Sequence, residues 1–423
     1  MTLSPYSWKD GPAIIEQHSV AKHEVLREYL VAYFRTLVTS PGQDKVNLSL
    51  VDGFAGGGLF THADSRRPVL GSPLIMLEAA QEARATIELG RQKALEWAID
   101  YFFVEKDRHA LAALDRTLRQ QGYGARIGTD IKLLKGAFAQ HVEAIVAFIA
   151  QKSPRAGRSI FLLDQYGYKD VPTAQIRSIF ARLPRAEIIL TFAVDSFINF
   201  AHDGPRTQAV LDRIGLGEAF GGRRFDDIRH SEKDARLYIQ GQMHQELVRQ
   251  CGAAYYTVFF IRTTGHGVYW LVHLSQHPRA RDVMTQVHWK KNNHFIHYGG
   301  AGIDMFGLLG YQASHDAVPA GQNEFGFCFD DVAGAASVAA LEAQLIRRVH
   351  AAPEGTAFGT LFADLCNTSP ASSDQFRQAL ARLVDHKALM VRSPEGQQRR
   401  TARTIAKNDL LLVPPQASLF LPP

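Results

Sequence analysis

The chain has 423 residues, more than one hydrophobic core serves, so two or more domains are expected. Its 46% apolar and 21% charged content is that of an ordinary globular protein, and no apolar run is long enough to span a bilayer. A formal charge of +5 is too small to specify a polyanionic partner by itself, and Met1–Asp10 lacks the basic start and apolar core of a secretory signal, so the cytoplasm is the expected location. Cys251, Cys328 and Cys366 lie far apart and outside CxxC spacing, which argues against a disulfide framework and against structural zinc.

In chain order, Lys22–Phe34 sets Val25, Tyr29, Ala32 and Tyr33 at helical spacing and predicts an amphipathic helix. Val46–Asp52 predicts a strand that breaks into Gly53-Phe54-Ala55-Gly56-Gly57-Gly58, the opening of an α/β unit. Gly71-Ser72-Pro73 predicts a helix start, continued from Leu74 to Gln92. Ala98–Glu105 is the second strand, Arg108–Gln120 a helix, and the third strand begins at Ile131, ahead of a helix through Phe148. Ser159–Asp164 and Ala186–Phe192 are the fourth and fifth strands, and Ser196–Gln250 reads as mostly helical. Tyr255–Arg262 and Val268–Leu274 flank a turn around Gly265-His266-Gly267 and predict a hairpin. Strand and helix alternating up to a closing hairpin predict a Rossmann-like, doubly wound α/β domain of the class I methyltransferase type over residues 1–285, with a helical insertion at about 196–250. Residues 286–335 read as a connecting segment. Within 336–423, helices at Leu341–Ile346, Phe358–Leu365 and Ser373–His386 precede Leu389–Val391 and Leu410–Val413, which bracket a basic stretch; this order predicts a winged helix.

A nucleoside cofactor needs close backbone approach at the end of the first strand, which Gly56 and Gly58 permit. Glu105 ends the second strand, where a carboxylate can accept both ribose hydroxyl protons. Phe138 follows the third strand at a position suited to an adenine ring, and equally to the core. Asp52 either faces the methionine end of the cofactor or caps the turn. The expected cofactor is S-adenosylmethionine, held by Asp52, Phe54, Gly56, Gly58, Glu105 and Phe138. At the end of the fourth strand, Asp164-Gln165-Tyr166-Gly167-Tyr168 partly matches the Asp/Asn-Pro-Pro-aromatic sequence of amino-group methyltransferases. Asp164 would accept from the target amine, and Tyr166 and Tyr168 would stack on its ring. Gln165 stands where that pattern has proline.

These motifs resemble the three-Cys-motif partner proteins (TcmP). The likeness runs from about Lys22 to Trp289 and rests on Lys22-His23, Asp52 through Gly58, Gly71-Ser72-Pro73, Phe103-Val104-Glu105-Lys106-Asp107 and Asp164 through Gly167. Members of the family show Asp-Pro-Phe-Gly where this chain has Asp164-Gln165-Tyr166-Gly167. The resemblance implies a Rossmann-like methyltransferase fold and a three-Cys-motif partner protein that looks like a radical-type enzyme.

Arg399, Arg400, Arg403 and Lys407 fall on the expected wing, with Arg392 just before it, where cations can follow phosphates. Between the domains, Arg279, Arg281, His288, Trp289, Lys290, Lys291, His294 and His297 mix cations with aromatic rings, a composition suited to a polyanion or a flipped base. The histidines show no metal-ligand spacing, so no metal is expected. The leading reading is a methyltransferase acting on nucleic acid, DNA before RNA, at a base amino group. The alternative is a non-catalytic subunit that senses the cofactor and delivers a partner enzyme to nucleic acid; an adaptor with a decayed pocket is a third.

Overall fold

The computed structural model describes residues 6–232, 234–263, 267–297, 301–303, 309–310, 326–352 and 354–414. The chain divides into two compact units, Met1–Val287 and His288–Pro423.

The first unit opens with β1 (Ala13–Ile15), α1 (Gln17–Leu37), β2 (Lys45–Asp52), β3 (Leu59–His62), β4 (Pro68–Leu70) and α2 (Ser72–Glu88). It continues through β5 (Glu96–Glu105), α3 (Arg108–Gln120), β6 (Ile131–Lys135), α4 (Phe138–Lys152), β7 (Ser159–Leu163), α5 (Thr173–Arg182) and β8 (Ala186–Phe192). The insertion consists of α6 (Val194–Phe200), α7 (Pro205–Ile214), α8 (Phe225–Ser231) and α9 (Ala235–Cys251). The hairpin β9 (Tyr255–Thr263) and β10 (Gly267–Ser275) follows, then α10 (Pro278–Lys290), whose last turn contains the division between the units.

Seven strands form one sheet in the order β6-β5-β2-β7-β8-β10-β9. The first five are parallel; β10 runs antiparallel to β8, and β9 to β10. This is the Rossmann-like methyltransferase order. The chain leaves the centre at β2 toward β5 and β6, then crosses to β7 and β8, so a crevice opens at the carboxyl ends of these strands. β2 and β7 are buried along nearly their whole length, as strands covered on both faces must be. On one face α1 buries Val25, Leu26, Tyr29, Leu30, Tyr33 and Phe34 beside α2. Beneath this apolar layer the Tyr29 hydroxyl donates to Glu187 and lies 3.0 Å from His273 Nε2, a polar tie from α1 to β8 and β10.

Two local expectations need correction. The helix predicted to reach Gln92 ends at Glu88, because Leu89 leaves helical geometry and Gly90 adopts φ +83°. The small sheet β1-β3-β4, in which β1 runs parallel to β3, has no counterpart in the sequence pattern. Its strands are too short to show a period of two, and β1 finds its partner only after α1 and β2 intervene.

In the second unit β11 (His294–His297) pairs with β12 (Leu309–Gly310) and β13 (Gly326–Cys328). There follow α11 (Asp331–His350), β14 (Thr356–Ala357), α12 (Phe358–Leu365), α13 (Ser373–Asp385), β15 (Met390–Arg392), β16 (Gln398–Arg399) and β17 (Leu410–Leu412). The last four strands order as β14-β17-β15-β16, and α11 packs on α13, which is a winged helix. Its first helix is longer than the predicted Leu341–Ile346 and starts at Asp331, where the Asp330 side chain accepts from the Ala333 N–H at 2.8 Å. Cys251 and Cys366 are buried and Cys328 is half-buried.

Candidate active site

A cavity of about 710 Å³ opens at the carboxyl ends of β2, β5, β6 and β7. That size suits a cofactor-sized ligand, for which pockets of roughly 300–1,000 Å³ are usual. Its floor is the turn after β2. Gly56 adopts φ +61°, a left-handed conformation that L side chains rarely adopt, and this turns its N–H toward Glu105 Oε2 at 2.9 Å. The other carboxylate oxygen of Glu105 accepts the Asp107 N–H at 2.7 Å, while Asp107 itself caps α3. Two backbone donors therefore fix the Glu105 carboxylate at the cavity wall and leave lone pairs for further donors, such as a pair of hydroxyls. Phe54, Gly56, Glu105 and Phe138 line the cavity.

Asp52 and Gly58 are not among the lining residues. Asp52 is fully buried and accepts the Phe54 N–H at 3.0 Å, so it acts as the cap of the turn. Burial lifts its carboxyl to about 7, and hydrogen bonding from Ser72 and the Phe54 backbone offsets only part of that rise. Gly58 lets α3 approach: a Cβ there would stand 2.7 Å from Leu114 Cδ1. Phe138 is only 2% exposed and packs edge-on against Phe161, so it serves the core as much as the cavity.

The remaining wall comes from residues that sequence reasoning did not place in a site. The stretch before α1 crosses the glycine turn, with Trp8 Nε1 donating to the Leu59 carbonyl at 3.2 Å. Trp8 lies so close that a Cβ on Gly57 would fall 2.1 Å from its Nε1. Tyr6, Trp8 and Phe60 form an aromatic cluster, and His18 stacks on Tyr269 with centroids 5.4 Å apart. The signal available in the sequence was the density of rings in Tyr6–Trp8, which has no period.

At the end of β7, Lys22 Nζ donates to both oxygens of Asp164, at 2.6 and 2.7 Å. Burial pushes the Asp164 carboxyl up, but the charge and hydrogen bonds of Lys22 outweigh it and hold the group below the ordinary carboxylate range. Both oxygens thus already have a donor, whereas the sequence reading left Asp164 open to a target amine. Gln165 is 2% exposed; its Nε2 donates to the Thr191 carbonyl at 3.2 Å, and its Oε1 accepts the N–H groups of Asp170 and Val171 at 2.9 and 3.2 Å. At the position where the Asp/Asn-Pro-Pro-aromatic pattern has proline, this chain pins the loop with a buried amide. Tyr166 stands at the cavity rim, 68% exposed. Tyr168 packs instead on Phe192 and Phe197 and does not line the cavity.

In the second unit Arg399 Nε donates to the buried Asp409 carboxylate at 3.2 Å, so this cation is tied into the wing rather than presented by it. Arg392, Arg400, Arg403 and Lys407 are exposed. Lys290 is exposed and Lys291 half-buried at the end of α10. Trp289 packs on Phe327 and Phe329 and donates to the Pro370 carbonyl at 3.0 Å, and Arg281 and His288 are buried, so these residues serve packing. The side chains of His294 and His297 lie outside the described residues. Among the described residues no cluster of His, Cys, Asp or Glu could hold a metal, and no helix is long and apolar enough to cross a membrane.

A family model described as a GMT-like wHTH domain matches residues 310–396. Comparison with curated proteins gives no match. Among solved structures, protein LPL1258 from Legionella pneumophila is 7% identical with a TM-score of 0.33, over 62% of this chain and 89% of that one. The bifunctional kinase-methyltransferase WbdD is 11% identical with a TM-score of 0.31, over 61% of this chain and 39% of its own. A putative methyltransferase, yhhF, from Escherichia coli is 14% identical with a TM-score of 0.25, over 59% and 85%. Likeness at this level carries no argument, and the fold assignment rests on the strand order. The chain thus joins a sheet of methyltransferase order to a winged helix similar to the GMT-like wHTH domain.

Proposed function

We propose that the protein is an S-adenosylmethionine-dependent methyltransferase acting on nucleic acid. The observation that carries this reading is the Glu105 carboxylate, fixed by two backbone N–H groups with lone pairs to spare, in the same cavity as Asp164 and Tyr166. The donor set fits the cofactor: Glu105 would take the ribose hydroxyls, Phe54 and Phe138 would flank the adenine, and the Gly56 backbone leaves room for the chain between them. When bound, S-adenosylmethionine supplies an electrophilic methyl group on a sulfonium. The protein's own task is to orient a nucleophile in line with it and to exclude water. Asp164 is the carboxylate at the β7 end, and a base amino group would reach it by sharing or displacing Lys22. Exposed cations on the wing support a nucleic-acid substrate.

The occupied state of Asp164 favours a second reading, a non-catalytic subunit that senses the cofactor and serves a partner enzyme of the three-Cys-motif kind. Transfer of tritium from labelled cofactor to mixed DNA and RNA separates the two. The enzyme reading expects label in nucleic acid from the parent and a sharp loss in Asp164→Ala with cofactor affinity kept. No transfer by the parent, with cofactor and nucleic acid both bound, leaves the sensor.

A further inference from the structure

Among the described residues, the helical insertion contributes one residue to the cavity lining, Arg213, from the last turn of α7. It is exposed, and it forms no ion pair among the described residues. Its backbone is nonetheless firmly placed. Leu211, Ile214 and Leu216 are buried around it, and Gly215 ends the helix at φ +81°, so close to α5 that a Cβ there would lie 2.1 Å from Thr173 Oγ1. Thr173 begins α5 directly after the loop that Gln165 pins, and that loop carries Tyr166. An unpaired guanidinium and an exposed phenol ring are therefore held at one cavity by backbone that cannot easily shift.

We propose that Arg213 anchors a phosphate of a single-stranded nucleotide whose base stacks on Tyr166. The inference rests on the reading of this cavity as a methyl-transfer site for nucleic acid. A planar ring with a negative charge one sugar away is the chemical unit that an aromatic face and a guanidinium recognise together. Asp164 lines the cavity with 22% of its side chain exposed, and chemistry on a base amine held there needs the target nucleotide unstacked or extruded.

The test is fluorescence anisotropy with the full-length protein and a labelled mixed-sequence single-stranded DNA 20-mer, compared with its duplex, with and without S-adenosylhomocysteine. Parallel measurements in an Arg400→Ala, Arg403→Ala background remove the contribution of the wing. Arg213→Ala should weaken single-strand binding roughly tenfold and reduce the log–log salt slope by about 0.7, the value of one phosphate contact on a single strand. Tyr166→Ala should weaken it roughly 5- to 150-fold with the slope unchanged, as loss of a stacked base does. Neither should alter S-adenosylhomocysteine affinity or the thermal midpoint. An unchanged slope in Arg213→Ala, equal losses for strand and duplex, or no strand binding by the parent would each overturn the proposal and leave Arg213 a helix-end cation. Failure to bind S-adenosylhomocysteine, by contrast, would count against the methyltransferase reading, while the anisotropy still decides the role of Arg213.

Discussion

Asp52 is fully buried, and burial holds its carboxyl at about 7 against an ordinary value of 3.8. The folded state therefore keeps a proton that the unfolded chain releases, and the sign follows: stability falls as pH rises from about 4 through 7, and the penalty is complete above 7. Asp52→Asn keeps an acceptor for the Phe54 N–H and cannot ionise. Denaturant unfolding should show the variant gaining on the parent between pH 5 and pH 8 by a few kcal/mol at most, since each tenfold change in proton affinity is worth ~1.4 kcal/mol. An advantage that does not grow with pH would mean that Asp52 ionises normally. The sequence placed this residue at the turn but left its role open, because a carboxylate that caps and one that binds occupy the same position, and only burial separates them.

At the scale of elements, the loop after β7 and the wing show how much the sequence could reveal. Strand ends, the glycine turn and the order Glu105 then Asp164 were legible because each rests on local pattern. That Gln165 pins this loop with three hydrogen bonds was not, since Thr191 is brought to it by the pairing of β7 with β8, and Asp170 and Val171 meet it only through the fold of the loop. Gln165→Ala should cost about 1–3 kcal/mol through the polar groups it leaves buried and unpaired, and should expose the 165–171 loop to proteolysis. A fully stable, protease-resistant variant would contradict the pin. In the wing, the sequence grouped Arg399 with Arg400 and Arg403 because all three are basic neighbours, yet the structure separates them. Arg399→Ala should destabilise the second unit by about 1–3 kcal/mol, because Asp409 then loses its charged partner. Arg400→Ala with Arg403→Ala should leave the thermal midpoint alone and lower the salt slope of duplex binding by about 0.9 per lost phosphate contact. Equal thermal effects of the two changes would refute the distinction.

For the whole molecule, the sequence foresaw a Rossmann-like domain followed by a winged helix, and the strand order and the GMT-like wHTH match agree. It did not foresee the stretch from Tyr6 to Ile15 as part of the cavity, since β1 and Trp8 acquire their roles only through contacts distant in sequence. The core of the first unit is drawn from residues up to Val287, so a truncation after Asn292 should fold and keep its cofactor affinity while losing affinity for duplex nucleic acid. Loss of cofactor binding in a truncation that still folds would show that the second unit completes the site. The most direct measurement is calorimetric titration of the full-length protein with S-adenosylhomocysteine, beside Glu105→Ala. Saturable binding at one site per chain is expected, weakened in the variant by about 1.5–3 kcal/mol, the worth of a charge-assisted hydrogen bond. No binding by the parent, or equal affinity in Glu105→Ala, would contradict the assignment of this cavity to the cofactor.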